Sequence, residues 1–188
     1  MICLAGNLPA LQIGHQQVAG YQTGWIDESL VRAAEACNRK DFPFIDDIRD
    51  GILHYLEIRC PLRVFALEDL FERMRSMLRK IGCEAIAEHL KALAPPVTVS
   101  LIGPARDAGN GYELVFFRLL SEEIQLLRDS GAEEIHFCNL KECVEILNCG
   151  KGMSKACKLL TDEITGFLER FDKQPIAQEH ELHLTLDQ

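Results

Sequence analysis

No apolar run in this 188-residue chain approaches the ~20 residues a membrane-spanning helix needs, so no membrane partner is expected. Cations are scarce as well. Lys and Arg number 20 against 29 Asp and Glu, for a formal net charge of −9. Binding a nucleic-acid backbone requires Lys and Arg to displace its counterions, so no nucleic-acid partner is expected either. Arg73, Arg75, Arg79 and Lys80 sit beside Glu68, Asp69 and Glu72, the pattern of a solvated helix face. The chain holds no Cys-x2-Cys pair, no Gly-x-Gly-x-x-Gly and no P-loop pattern. Its opening, MICLAGNLPALQIG, puts no basic leader ahead of the apolar residues. No signal peptide and a cytoplasmic location are therefore expected.

What remains has the composition of a folded protein, with 47% hydrophobic and 26% charged residues. The length suffices for one good core or two small ones. Eight cysteines are many for a cytosolic chain of this size. Cys3, Cys37, Cys60 and Cys83 fall at or near apolar helix positions or boundaries, where free cysteine acts as a small buried hydrophobe.

In chain order, Leu11 to Ile13 and Val18 to Tyr21 are short alternating segments punctuated by Gly14, Gly20 and Gly24, which predicts a hairpin. A first helix carries Ile26, Leu30, Ala33, Ala34 and Cys37 at helical spacing and stops at Asn38. Pro43 suits the opening of a second, with Ile45, Ile48, Ile52, Tyr55 and Leu56 on one face, ended by Pro61. Val64-Phe65 leads into a third, with Leu67, Leu70, Phe71, Met74, Met77, Leu78 and Ile81 inward and Gly82 as a left-handed stop. A short fourth carries Ile86, Ala87, Leu90 and Leu93. Pro95-Pro96 cannot extend it. That pair predicts an exposed, semi-rigid junction between a helical domain over 1–94 and a second domain over 97–188.

The first half, residues 8–94, resembles the ATP-cone domain in three features. These are the glycine-punctuated hairpin, an aromatic entering the first helix, and the ending Leu78-x3-Gly82-x3-Ile86-Ala87. That family is the nucleotide-binding regulatory module of ribonucleotide reductases and of their transcriptional repressor. The resemblance implies a hairpin-plus-four-helix fold with ATP or dATP bound at the hairpin, whose family motif is Lys-Arg-x-Gly with an aromatic five residues beyond the glycine. Placing Gly20 and Trp25 on those positions puts Gln17 and Val18 where the Lys and Arg belong. Arg32, Arg39 and Lys40 are the basic residues nearby, and complete the candidate nucleotide-binding set of Gln17, Val18 and Gly20. A Gln-Val pair cannot neutralise phosphate charge, so nucleotide affinity is expected to be weakened or lost. Within these 188 residues neither the reductases' catalytic barrel nor the repressor's zinc ribbon of two close cysteine pairs is expected.

The second half changes to alternating strands and helices. Val97 to Ile102 reads as a buried strand, followed by a glycine-rich loop from Gly103 to Gly111. A helix spans Tyr112 to Asp129, closed by Gly131, and a second strand spans Glu134 to Phe137 with Asn139 as helix N-cap. Helices over 141–147 and 154–171 precede a last strand over 182–186. Repeated strand–helix units predict a small α/β layer with parallel pairing, and the whole chain an α+β fold.

Four stretches in this half are candidate sites. The loop Gly103 to Gly111 joins a strand to a helix, the setting that cradles phosphate on helix N–H groups. Gly150-Lys151-Gly152-Met153-Ser154 follows a helix instead of a strand and reads as an interhelical break. His136, Cys138, Cys143, Cys149, Cys157, His180 and His183 would suffice for zinc in number, but their spacing fits no standard site, and no metal is expected. Cys138, two residues beyond His136 on a strand, faces the same side and is a candidate activated thiol. Three functions follow: a regulatory, nucleotide-responsive module without chemistry of its own, an interaction module for a protein partner or homo-oligomer without ligand, and a small enzyme using the Gly103–Gly111 loop or Cys138.

Overall fold

The computed structural model describes residues 8–39, 42–148, 155–172 and 182–187 of an α+β protein. The chain divides into two compact units, Met1–Pro95 and Pro96–Gln188. Pro96 is exposed at that division but Pro95 is buried, with Leu93 and Ala94 before it. The expected exposed proline pair is thus anchored on one side by the apolar run that precedes it.

In the first unit, β1 (Ala10–Ile13) and β2 (Gln16–Val18) form an antiparallel hairpin in the register Leu11↔Val18, Gln12↔Gln17 and Ile13↔Gln16. Gly14 supplies the positive φ, 53°, that a two-residue hairpin turn favours at its first central position. The second strand therefore starts and ends earlier than the expected Val18 to Tyr21. A third strand, β3 (Val64–Ala66), pairs parallel with β1 and gives the order β2-β1-β3. Sequence reading takes Val64-Phe65 as a mere lead into a helix, because three residues carry no period. Tertiary pairing with β1 makes them a strand, and Phe65 joins Leu11 and Ile13 in the core.

Four helices among the described residues complete this unit. Helix α1 (Gly24–Ala36) buries Trp25, Ile26, Leu30, Ala33 and Ala34, and the chain leaves it through left-handed Asn38, φ 57°. Helix α2 (Ile45–His54) buries Ile48 and Ile52, then widens into one π-helical turn over Tyr55–Arg59, closed by Cys60 N–H donating to the Tyr55 carbonyl at 2.8 Å. Cys60 itself is extended, as the ring of Pro61 demands of the residue before it. Helix α3 (Leu67–Lys80) buries Leu67, Leu70, Phe71, Met74 and Leu78, and stops at Gly82, φ 80°. Ile81, expected inward, is 54% exposed, because it lies past the last helical residue, where the turn swings its side chain off the buried face. Helix α4 (Glu84–His89) is short, and Leu90 and Leu93 reach the core from the extended chain beyond it. Polar clamps join these helices. Arg75 Nε donates to Leu90 O at 3.1 Å, and the Cys37 thiol donates to Ala85 O at 3.1 Å.

The second unit runs β4 (Val97–Ser100), α5 (Ile102–Ala108), α6 (Glu113–Asp129), β5 (Glu134–Cys138), α7 (Leu140–Leu147), α8 (Lys155–Asp172) and β6 (His183–Leu186). The strands among the described residues are parallel, in the order β4-β5-β6. Sequential order with right-handed crossovers sends both helix pairs to one face of the sheet. Val97, Val99, Ile135 and Phe137 are buried on one face, whereas Thr98, Ser100, Glu134, His183 and Thr185 on the other are exposed. The expected loop from Gly103 to Gly111 is largely helix α5. Pro104 falls in its first turn, where no N–H is needed, and Ala105 to Ala108 form helix readily. Only Gly109 to Gly111 turn, with both glycines at positive φ.

Candidate functional site

The nucleotide candidates of the first unit begin on β2. Gln17 stands opposite Gln12, and Val18 opposite Leu11. Successive strand residues point to opposite faces. Val18 therefore shares the core side with Leu11 and Ile13, while Gln17 is exposed on the outer side. Gly20 follows with φ 68°, a conformation that strains any L side chain although a Cβ there would meet no atom within 4 Å. Arg32 lies on α1, paired with Glu28 at 2.6 Å, and Arg39 lies beyond the end of that helix. Helix α1 packs chiefly on α4 and α2. Gln17, Val18 and Gly20 are thus neighbours on the hairpin and its exit, while Arg32 and Arg39 belong to a separate element. Lys40 lies outside the described residues.

An aromatic cluster closes the hairpin exit. Tyr21 meets Trp25 edge to face with 6.2 Å between ring centroids, and Trp25 lies 6.0 Å from Phe71 of α3. The Tyr21 hydroxyl donates to Pro9 O at 2.9 Å. Burial, aided by the nearby Cys60 thiol, pushes its pKa up to about 12. Trp25 is 6% exposed, and its indole N–H has no hydrogen-bond partner among the described residues. A buried donor left in this way costs about 1–3 kcal/mol. The residue pinning the hairpin to the helices is held by packing alone. Close by on α2, Arg49 reaches Asp46, Asp50 and Asp27, and its pKa is raised, first by the hydrogen bond to Asp50.

In the second unit, polar groups gather on the open sheet face and at the carboxyl ends of its strands, where ligands of open α/β sheets bind. The register places Thr98, His136 and Thr185 in one row and Ser100 beside Cys138 in the next. His136 Nε2 lies 3.2 Å from Glu134 Oε1, and its Nδ1 contacts the Thr185 hydroxyl. A carboxylate only accepts, so Nε2 carries the proton and Nδ1 accepts from Thr185 in the neutral ring. Hydroxyl, imidazole and carboxylate in series form a nucleophile–base–orienter chain, but an open face does not exclude the water such chemistry must exclude. Only the His136–Thr185 contact crosses from β5 to β6, whereas Glu134 and His136 share β5.

The proposed Cys138–His136 couple is not formed. Cys138 Sγ lies 3.2 Å from Asn139 Oδ1, while His136 is engaged by Glu134 and Thr185. Asn139, expected as an N-cap, is left-handed at φ 64° and makes no side-chain cap to α7. Its Oδ1 instead accepts from Ser100 Oγ at 3.0 Å, tying β4 to β5. The phosphate-loop candidate takes a different form, since α5 fills most of that stretch from Ile102 to Ala108 and only Gly109 to Gly111 turn before α6.

Cys143 and Cys157 are buried, as their helical spacing predicts. Burial pushes the Cys143 thiol up to about 12. Among the described residues no three metal-ligating side chains converge. Cys3, Cys149, Gly150 to Ser154 and His180 lie outside the described residues. Ser100 and Thr185 are absent from any reading by motif, yet the alternation in Val97-Thr-Val-Ser100 and His183-Leu-Thr-Leu186 already sets them on one face. No helix among the described residues is long and apolar enough to cross a membrane. No protein-family model, curated protein or solved structure matches the chain.

Proposed function

We propose that this chain is a non-catalytic regulatory module of ATP-cone type whose affinity for ATP or dATP is weakened by its neutral hairpin. The observation that carries the reading is the path of the first unit. A hairpin leads through left-handed Gly20 to Trp25, buried between Tyr21 and Phe71, and into helices that close on the Leu78–Gly82–Ile86 corner. This path supports a module that couples a hairpin to a helical body. Calorimetric titration with ATP tests it, and saturable binding weaker than ~100 μM is expected, in line with the loss of the charge-assisted bond of about 1.5–3 kcal/mol that a cation at Gln17 would make.

A second reading, an interaction module for a protein partner or second copy, draws on β3. This strand is an edge of the β2-β1-β3 sheet, and Ile58, Leu62 and Val64 around it are 67%, 52% and 38% exposed. An open edge bearing apolar side chains is a template for another strand. Sedimentation that shows an assembly dispersed by Val64→Lys, together with no nucleotide binding, would favour this reading over the first.

A further inference from the structure

A cleft of about 470 Å³ opens in the second unit between α7, α8 and β6. That volume lies in the range of small-molecule sites. Leu140 and Lys141 open α7 directly after β5, and Leu186 is the last residue of β6. The cleft therefore sits at the carboxyl end of the parallel sheet, where this architecture places ligands. It shares no residue with the hairpin of the first unit or with the Ser100–Cys138–Asn139 contact.

Its lining has two parts. Leu140, Val144, Cys157 and Leu186 supply an apolar base. Around it stand Lys141 and Lys158 with Glu145 and Asp162, all four exposed. Among the described residues none of these four enters an ion pair. Between them lie Thr161 and Thr165, whose hydroxyls donate to Cys157 O at 2.9 Å and Thr161 O at 3.0 Å. With their protons committed to the helix, both oxygens are left as acceptors.

We infer that this cleft binds a small zwitterion with an apolar body, of the class of an apolar α-amino acid. Two ammonium groups and two carboxylates give the rim no net charge, so a bare carboxylate or a bare amine satisfies only half of it. A ligand carrying both charges engages the lysines with its carboxylate, and the acidic residues and threonine oxygens with its ammonium. Its side chain displaces water from the apolar base, which provides the non-directional part of the affinity.

Three probes sharing one body separate these contributions: L-phenylalanine, 3-phenylpropionate without the ammonium, and 2-phenylethylamine without the carboxylate. Titrated into the full chain by calorimetry, L-phenylalanine is expected to bind saturably at micromolar to millimolar concentration, and each one-charge probe several-fold more weakly. Lys158→Glu and Asp162→Lys, both on the exposed rim, are each expected to weaken L-phenylalanine by about two- to five-fold while leaving the melting temperature of the free protein unchanged. Val144→Trp fills the cleft and is expected to abolish binding. Lys158→Glu and Asp162→Lys report on the site without disturbing the core should Val144→Trp fail to fold. Equal binding of all three probes, binding indifferent to the rim variants, or no binding of L-phenylalanine up to millimolar concentration would each overturn the inference. Because ATP titration reads the hairpin of the other unit, failure here leaves the regulatory reading standing, and the reverse holds as well.

Discussion

In the first unit a three-stranded sheet mixes an antiparallel hairpin with one parallel strand, whereas in the second all three strands run parallel. A hairpin closes locally, so β1 and β2 find their register through one two-residue turn. Parallel strands need long crossovers, and each crossover here carries a helix pair. The consequence is chemical as well as topological. Parallel strands end on one side, so Ser100, Cys138, Asn139, Lys141 and Leu186 all lie toward a common carboxyl edge. The mixed sheet has no such edge, and its unit uses Arg75 and Cys37 to clamp helices together. The second unit thus gathers polar groups along one sheet edge, whereas in the first they are spread over the helices and the hairpin exit.

Core substitutions provide the largest expected effects and ask whether both units rest on equally tight interiors. Phe137→Ala on β5 is expected to cost about 3–5 kcal/mol and Ile86→Ala at the helical corner about 2–5 kcal/mol, measured by denaturant melts. Both residues are fully buried. A cost under half a kcal/mol for Ile86→Ala would remove the corner from the first unit's core.

High pH acts on both units through buried acids. The unfolded Cys143 thiol loses its proton near its ordinary value of 9.0, while the folded one holds it to about 12. Between those values the folded state binds more protons, so stability falls as pH rises, by up to about 1.4 kcal/mol per pH unit. Tyr21, raised from 10.0 to about 12, adds the same sign in the first unit. Cys143→Ala is expected to flatten the slope that begins near pH 9, and chemical melts across that range check it. An unchanged slope would mean that the thiol is not buried in solution.

Gly20→Ala is expected to destabilise by about 1–2 kcal/mol through its left-handed φ alone, since a Cβ there meets nothing. Thermal melts that show no loss would mean that the hairpin exit adapts. Smallest is Glu134→Gln on the open face of the second sheet, expected to cost under about 1 kcal/mol because the pair with His136 is exposed. A larger cost would show that this face is covered.

The helices were legible from sequence because their apolar periods are long. α1, α3 and α6 lie within a residue or two of where Ile26 to Cys37, Leu67 to Ile81 and Tyr112 to Asp129 place them. β3 was not legible, since Val64 to Ala66 becomes a strand only when β1 offers an edge. The stretch after β4 misled because Gly103 and Pro104 read as loop residues, yet both are tolerated in a first helical turn. At the candidate sites, spacing put His136 and Cys138 on one face but could not show that Thr185, forty-nine residues away, takes the imidazole. Likewise, Gln17 and Val18 are adjacent in sequence, but only the register of β2 shows that they face opposite ways.

That opposition makes Gln17 the one motif position from which a cation can reach a ligand on the outer face without entering the core. Titrating ATP into the native chain and into Gln17→Lys therefore tests the regulatory reading most directly. Weak, saturable binding above ~100 μM is expected for the native chain, tightened about ten- to a hundred-fold by Gln17→Lys, the gain of one charge-assisted bond. No binding by either protein up to millimolar ATP, or native binding that Gln17→Lys leaves unchanged, would contradict a nucleotide site at this hairpin.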